Sequence, residues 1–131
     1  MVMSVSDYVV VSIPLVKDTE HIIDANTLKH SKQGQILVNV GRGKLIDEDA
    51  LVTALRSDDH ALKGAALDVF SVEPLPLDSP LWSINNLCIS PHNADNTRDS
   101  YHKSVQQFTE NCSRYISNQS LLYVVNKNLG Y

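Results

Sequence analysis

The sequence predicts an α/β fold: part of a parallel sheet, incomplete at one edge, followed by a long C-terminal helix. Three observations carry this. Short β-rich runs alternate with helical stretches until about residue 90, the order that builds parallel sheets. The first run is apolar throughout, as strands covered on both faces are. Polar clusters stand at the carboxyl ends of the runs, where open α/β sheets place their sites.

The first strand reads Tyr8-Val9-Val10-Val11-Ser12-Ile13, and Pro14, which lacks a backbone donor, closes it. Asp24 caps a short helix reaching about His30, and Gly34 separates it from a second strand, Ile36 to Val40. Asp47 caps a helix from Glu48 to about Arg56, with Leu51, Ala54 and Leu55 on one face. A third strand spans Gly64 to Val69. Pro74, Pro76 and Pro80 then stiffen a loop in which Leu81 and Trp82 are expected as apolar anchors. A fourth strand, Leu87 to Ser90, stops at Pro91. Asn96 or Thr97 opens the longest helix, whose stripe of Tyr101, Val105, Phe108, Cys112 and Tyr115 or Ile116 is expected to bury against the sheet or a neighbouring domain. The apolar stretch Leu121 to Val125 leads into the terminal NKNLGY. The most apolar strand comes first, with no earlier strand to cover its other edge. Strands beyond this sequence can supply that cover, or the first strand is central in a small three-layer domain.

The 131 residues suit one domain, and 43% hydrophobic content supports a folded core. A formal charge of −4 with dispersed basic residues argues against a nucleic-acid surface. No apolar run is long enough to span a bilayer, and the N-terminus has no secretory pattern, so a cytoplasmic protein without a membrane partner is expected. The two cysteines, Cys88 and Cys112, form no CxxC pair, and their apolar surroundings predict buried thiols.

Arg42, Glu73 and His92 follow three different strand ends, which lets the fold bring them together. Arg42 stands between Gly41 and Gly43, whose freedom permits a sharp turn and a close approach to a ligand. Its planar donors suit a carboxylate; an ion pair with Asp47 or Asp68 is the structural alternative. His92 exchanges a proton near neutral pH, which suits alcohol–carbonyl interconversion. Glu73 can hold the other imidazole nitrogen, or be a solvated loop group. Asp68 can orient a nicotinamide amide or order its own loop, and Asn39 can hold the Arg42 turn. His21, His30, His60 and His102 read as surface or packing residues. No metal-ligand spacing, GxSxG elbow or GxxxxGK[ST] loop occurs.

Taken in order, SDYVVVSIPLVKDT, ILVNVGRGKLIDEDAL, GAALDVFSVEPLP, LCISPHNA and the terminal VVNKNLGY resemble the C-terminal part of the D-isomer-specific 2-hydroxyacid dehydrogenase family, over nearly the whole chain. The resemblance implies the second half of a Rossmann-type parallel sheet. It implies hydride transfer between NAD or NADP, NAD being the commoner, and a small 2-hydroxy or 2-oxo acid. Arg42 would bind the acid, His92 would carry the proton and Glu73 would tune it. Ser12, Ile13, Pro14, Thr19, Gly41 and Asp68 would form the cofactor side. Residues 1–120 would be a partial NAD(P)-binding domain, and residues 121–131 a tail returning toward a substrate domain. The family's GxGxxG loop, its ribose-binding acid and its substrate domain have no counterpart here, and Asp95 replaces a small residue. The 131 residues alone are therefore expected to be inactive, as a fragment of an oxidoreductase. The alternatives are a truncated interaction protein or a weak residual cofactor binder, with a dimer partner or a complementing dehydrogenase chain left open.

Overall fold

The structure is a computed structural model describing residues 2–58 and 61–131, so His60 lies outside the described residues. It divides into two compact units, one ending at His92 and the other spanning Asn93–Tyr131.

The first unit is built on a parallel four-stranded sheet ordered β1-β2-β3-β4: β1 Tyr8–Val11, β2 Gln35–Asn39, β3 Leu62–Leu67 and β4 Leu87–Ile89. Two helices connect the first three strands, α1 Ala25–Leu28 and α2 Glu48–Arg56. Both begin on an aspartate whose carboxylate accepts from a backbone amide three residues on: Asp24 from Thr27 at 2.7 Å and Asp47 from Ala50 at 3.1 Å. The Thr27 bonds hold the Asp24 carboxyl below its ordinary range. The strands end earlier than the sequence implies, since Ser12-Ile13, Val40, Asp68-Val69 and Ser90 lie beyond the last strand residues, while β2 and β3 also begin earlier, at Gln35 and Leu62. Likewise α1 stops at Leu28 rather than near His30.

Leu28, Leu37, Leu45, Ile46, Leu51 and Leu81 are the largest apolar side chains at the centre of the core. On β1, Val9 and Val11 face this core, while Tyr8 and Val10 are exposed. Within these residues β1 is the edge strand of the sheet, with one face open. In register, Val10, Val38, Ala66 and Cys88 form a row across all four strands on that face. Cys88 is therefore exposed, contrary to the thiol burial read from its apolar neighbours. Leu81 anchors the proline-rich loop as expected, but Trp82 is 54% exposed, its indole Nε1 donating to the Pro76 carbonyl at 2.8 Å.

The second unit contains α3, Arg98–Ile116, capped by Thr97, whose hydroxyl accepts from the Ser100 amide at 3.1 Å. Asn111 exchanges two hydrogen bonds with the Leu122 backbone, 3.1 and 2.8 Å, and ties the return segment to the helix. Tyr101, Val105, Phe108, Cys112, Tyr115 and Ile116 are exposed, so the stripe expected to be buried is uncovered. Residues 121–125 form no strand. Among the described residues no helix is long and apolar enough to cross a membrane.

Candidate active site

The site forms where β2, β3 and β4 end. Its base is polar and buried. Asn39, 1% exposed, accepts from the Gly41 amide at 3.0 Å and donates to the Arg42 carbonyl at 2.9 Å, fixing the turn that carries Arg42. The Asn39 carbonyl accepts from the Asp68 amide at 3.0 Å, and the Asp68 carboxylate accepts from the Ser90 hydroxyl at 2.6 Å. A backbone bond thus joins the ends of β2 and β3 and the buried Asp68 side chain joins β3 to β4, while the buried Asn39 side chain secures its own turn, as buried polar groups must be satisfied.

Neither glycine beside Arg42 has a positive φ. Their need is close approach to the protein's own chain, not a sharp turn around a ligand. A Cβ on Gly41 would lie 3.3 Å from both Ser12 Cα and the Ile13 carbonyl. One on Gly43 would lie 1.8 Å from the Phe70 carbonyl carbon. The first contact sets Ser12 and Ile13 against the Arg42 turn, with the exposed Pro14 following them. Thr19 shapes the loop after β1, its hydroxyl accepting from the Val16 amide and donating to the Pro14 carbonyl, both at 2.8 Å.

Glu73 and His92 meet: Glu73 Oε2 lies 2.7 Å from His92 Nδ1. The other oxygen, Oε1, accepts from the Phe70 amide at 2.9 Å, so both carboxylate oxygens are engaged. The Glu73 carboxyl is held below the usual glutamate range, first by the bond to His92 and then by the Phe70 amide. Partial burial opposes this, and the positive charges of His92 and Arg42 add to it. A carboxylate only accepts, so Nδ1 donates and Nε2 is left as the ring atom able to exchange a proton. His92 itself has φ 52°, an uncommon conformation for a residue with a Cβ and one concentrated at functional sites. Arg42 is exposed, with Nη1 on the Gly41 carbonyl at 2.7 Å.

Sequence reasoning missed three contributors. Ser90 reads as a strand end, yet it ties Asp68 to the segment leading to His92. Glu48 reads as a first-turn helix acid, yet its Oε1 accepts from the Ser71 amide at 2.6 Å. Trp82, with Phe70, Pro74, Leu75 and Ile89, lines a largely apolar cavity of about 580 Å³ that opens against Glu73 and His92. The proline-rich loop signals rigidity, but nothing in its pattern shows which side chains turn to the cavity. Among the described residues no group of three or more His, Cys, Asp or Glu side chains is placed to hold a metal.

Residues 1–94 match the family model for the D-isomer specific 2-hydroxyacid dehydrogenase NAD binding domain. The chain belongs to that family. Among related sequences, this dehydrogenase domain is 38% identical over 106 residues to a glyoxylate reductase of Korarchaeum cryptofilum, covering 81% of this chain and 31% of the relative. It is 45% identical over 87 residues to a glyoxylate/hydroxypyruvate reductase B of Pectobacterium carotovorum, covering 66% of this chain and 27% of the relative. The chain thus spans about a third or less of these relatives' length. Among solved structures, a D-isomer specific 2-hydroxyacid dehydrogenase of Xanthobacter autotrophicus in complex with NADPH and MES superposes with a TM-score of 0.84 at 38% identity, over 98% of this chain and 52% of that one. An NADPH-dependent glyoxylate/hydroxypyruvate reductase of Sinorhizobium meliloti, in complex with NADP and sulfate, gives 0.87 at 29% identity, over 98% of this chain and 41% of that one. The Rossmann-like half-sheet expected of the dehydrogenase family is the fold observed.

Proposed function

We propose that this chain carries the proton-exchanging and acid-binding side of an NAD(P)-dependent oxidoreductase that interconverts small 2-oxo and 2-hydroxy acids. The observation that carries this reading is the 2.7 Å contact between Glu73 and His92 at the carboxyl ends of parallel strands, with Arg42 near enough for its charge to help lower the Glu73 carboxyl. The residues present fit the nicotinamide end of a dinucleotide: Asp68 supplies an acceptor, and Ser12, Ile13, Pro14 and Gly41 form an adjoining wall, with Thr19 shaping its loop. They do not include a GxGxxG phosphate cradle. A bound nicotinamide supplies or accepts the hydride at the acid's C2.

Arg42 does the positioning. Its guanidinium, free to swing from the Gly41 carbonyl, takes the substrate carboxylate and places the neighbouring carbonyl near His92. His92 gives the Nε2 proton to the carbonyl oxygen in reduction and takes it back in oxidation. Glu73 stabilises the protonated ring and fixes its orientation. Glyoxylate and hydroxypyruvate, the acids in the relatives' names, are the proposed substrate class.

The test is turnover of both acids with NADH and NADPH by the protein carrying this sequence. His92→Ala is expected to lose at least ~100-fold in kcat, the lower range for general acid–base catalysis. Arg42→Lys keeps the charge but not the fork and is expected to raise KM and lower kcat. Equal kcat/KM for Arg42→Lys and the parent would refute the carboxylate role. The isolated 131 residues are expected to show no turnover.

A further inference from the structure

Glu73 presents Oε2 to His92 because its Oε1 is held by the Phe70 amide. Its aim therefore depends on the turn from Phe70 to Glu73, and residues 69–76 belong to no helix or strand. Two contacts from one distant segment seat that turn. Gly43 lies so close to the Phe70–Ser71 peptide that no side-chain carbon fits between them. Five residues on, Glu48 Oε1 accepts from the Ser71 amide at 2.6 Å across a sequence gap of 23.

We propose that Glu48 is a positioning residue for the Glu73–His92 pair, its carboxylate locking the loop that aims Glu73 to the same segment that carries Arg42. The inference deepens the functional reading above and rests on it. Glu48 opens α2, where a carboxylate also gains from the helix dipole. That gain depends on charge and tolerates a shorter side chain. The bond to Ser71 depends on reach and tolerates a neutral carbonyl. Charge and reach therefore separate cleanly by substitution. The helix already has its cap in Asp47, so a first-turn dipole role does not account for the Ser71 contact.

The experiment uses the 131-residue chain and two variants. Glu48→Asp keeps the negative charge at the helix start and removes one methylene of reach. Glu48→Gln keeps the reach and removes the charge. Carboxyl carbon NMR titration follows Glu73, whose neighbours are His92, Arg42 and the Phe70 amide, and hydrogen exchange follows the Ser71 amide. In Glu48→Asp, Ser71 exchange is expected to quicken at least ~10-fold, the effect of losing about 1.4 kcal/mol of protection, and the Glu73 midpoint to rise toward the ordinary glutamate range. In Glu48→Gln both are expected to stay near the parent values. A Glu73 midpoint unmoved in Glu48→Asp overturns the positioning role while leaving the pair intact, and so does the reverse pattern, with Gln disruptive and Asp silent. A parent chain in which Glu73 titrates in the ordinary range overturns the pair itself, and with it the functional reading.

Discussion

Replacing Gly43 by alanine tests whether the Arg42 turn and the Glu73 loop form one unit. The new Cβ would meet the Phe70 carbonyl carbon at 1.8 Å, its oxygen at 2.1 Å and the Ser71 nitrogen at 2.3 Å. The first distance is about half of an ordinary carbon–carbon contact, roughly 3.5 Å. No rotamer change relieves it, because every obstacle is backbone. That peptide is pinned by its Ser71 N–H on Glu48 and the peptide before it by the Phe70 N–H on Glu73, so a shift puts both bonds at risk. Overpacking a rigid interior costs about 1–3 kcal/mol, and each lost hydrogen bond adds about 1 kcal/mol net. We therefore expect a loss of about 3 kcal/mol or more, read as a lower midpoint in urea denaturation followed by circular dichroism. Gly41→Ala is the comparison. Its nearest obstacle, Leu45 Cδ1 at 2.8 Å, is the end of a flexible side chain, and the backbone atoms stand off at 3.3 Å. That change is expected to cost about 1–2 kcal/mol. A Gly43→Ala chain within about 1 kcal/mol of the parent, or more stable than Gly41→Ala, would refute the close-approach reasoning.

Leu51→Ala removes a side chain with no exposed surface at the centre of the core and should cost about 2–5 kcal/mol, measured in the same urea assay. Asp47→Ala leaves the Ala50 amide without its side-chain acceptor and should cost about 1 kcal/mol, with lower helical signal. The Glu73 carboxyl titrates below the ordinary value of 4.5 in the folded chain, so its stabilisation is fully present above that value and is lost as pH falls through the folded-state value. A third of its side chain is exposed, so the effect is modest. Urea midpoints taken from about pH 7 down to about pH 3 should fall more steeply in the parent than in Glu73→Gln, and equal slopes would remove the folded-state shift.

Local chemistry made most of the fold legible. Asp24, Asp47 and Asn96 or Thr97 announce helix starts because a short oxygen-bearing side chain before a helical run can serve an unpaired amide, and Asp24, Asp47 and Thr97 do so. The apolar runs identified the strands, though not their ends, because Ser12, Val40 and Ser90 continue the extended run and only the hydrogen-bond ladder shows where pairing stops. Burial was harder to read. Val10, Cys88 and the α3 stripe are apolar by composition, yet their exposure depends on what lies opposite them. For the sheet that is decided by the row Val10, Val38, Ala66 and Cys88, visible only once register is known. Strand-end positions allowed the meeting of Glu73 with His92, and the family resemblance implied it, while the residues alone left Glu73 open as a solvated loop group. The roles of Ser90 and Glu48 were not legible, since each acts on a residue 22 or 23 positions away.

The site separates residues that hold geometry from residues that carry chemistry. Asn39 and Asp68 are nearly fully buried and each hydrogen-bonds the chain itself, so they help fix where the strand ends stand. Arg42, Glu73 and His92 are each exposed. Charges left near solvent avoid the large desolvation cost of burial, but they gain no rigidity from packing. Their arrangement must then come from the backbone that bears them, which explains why the loops here are fastened by side chains rather than by ladders. It also explains the placement of the glycines: a side-chain carbon at Gly43 would push the Arg42 turn away from the Phe70–Ser71 peptide of the Glu73 loop, and one at Gly41 would push it from Ser12 and Ile13.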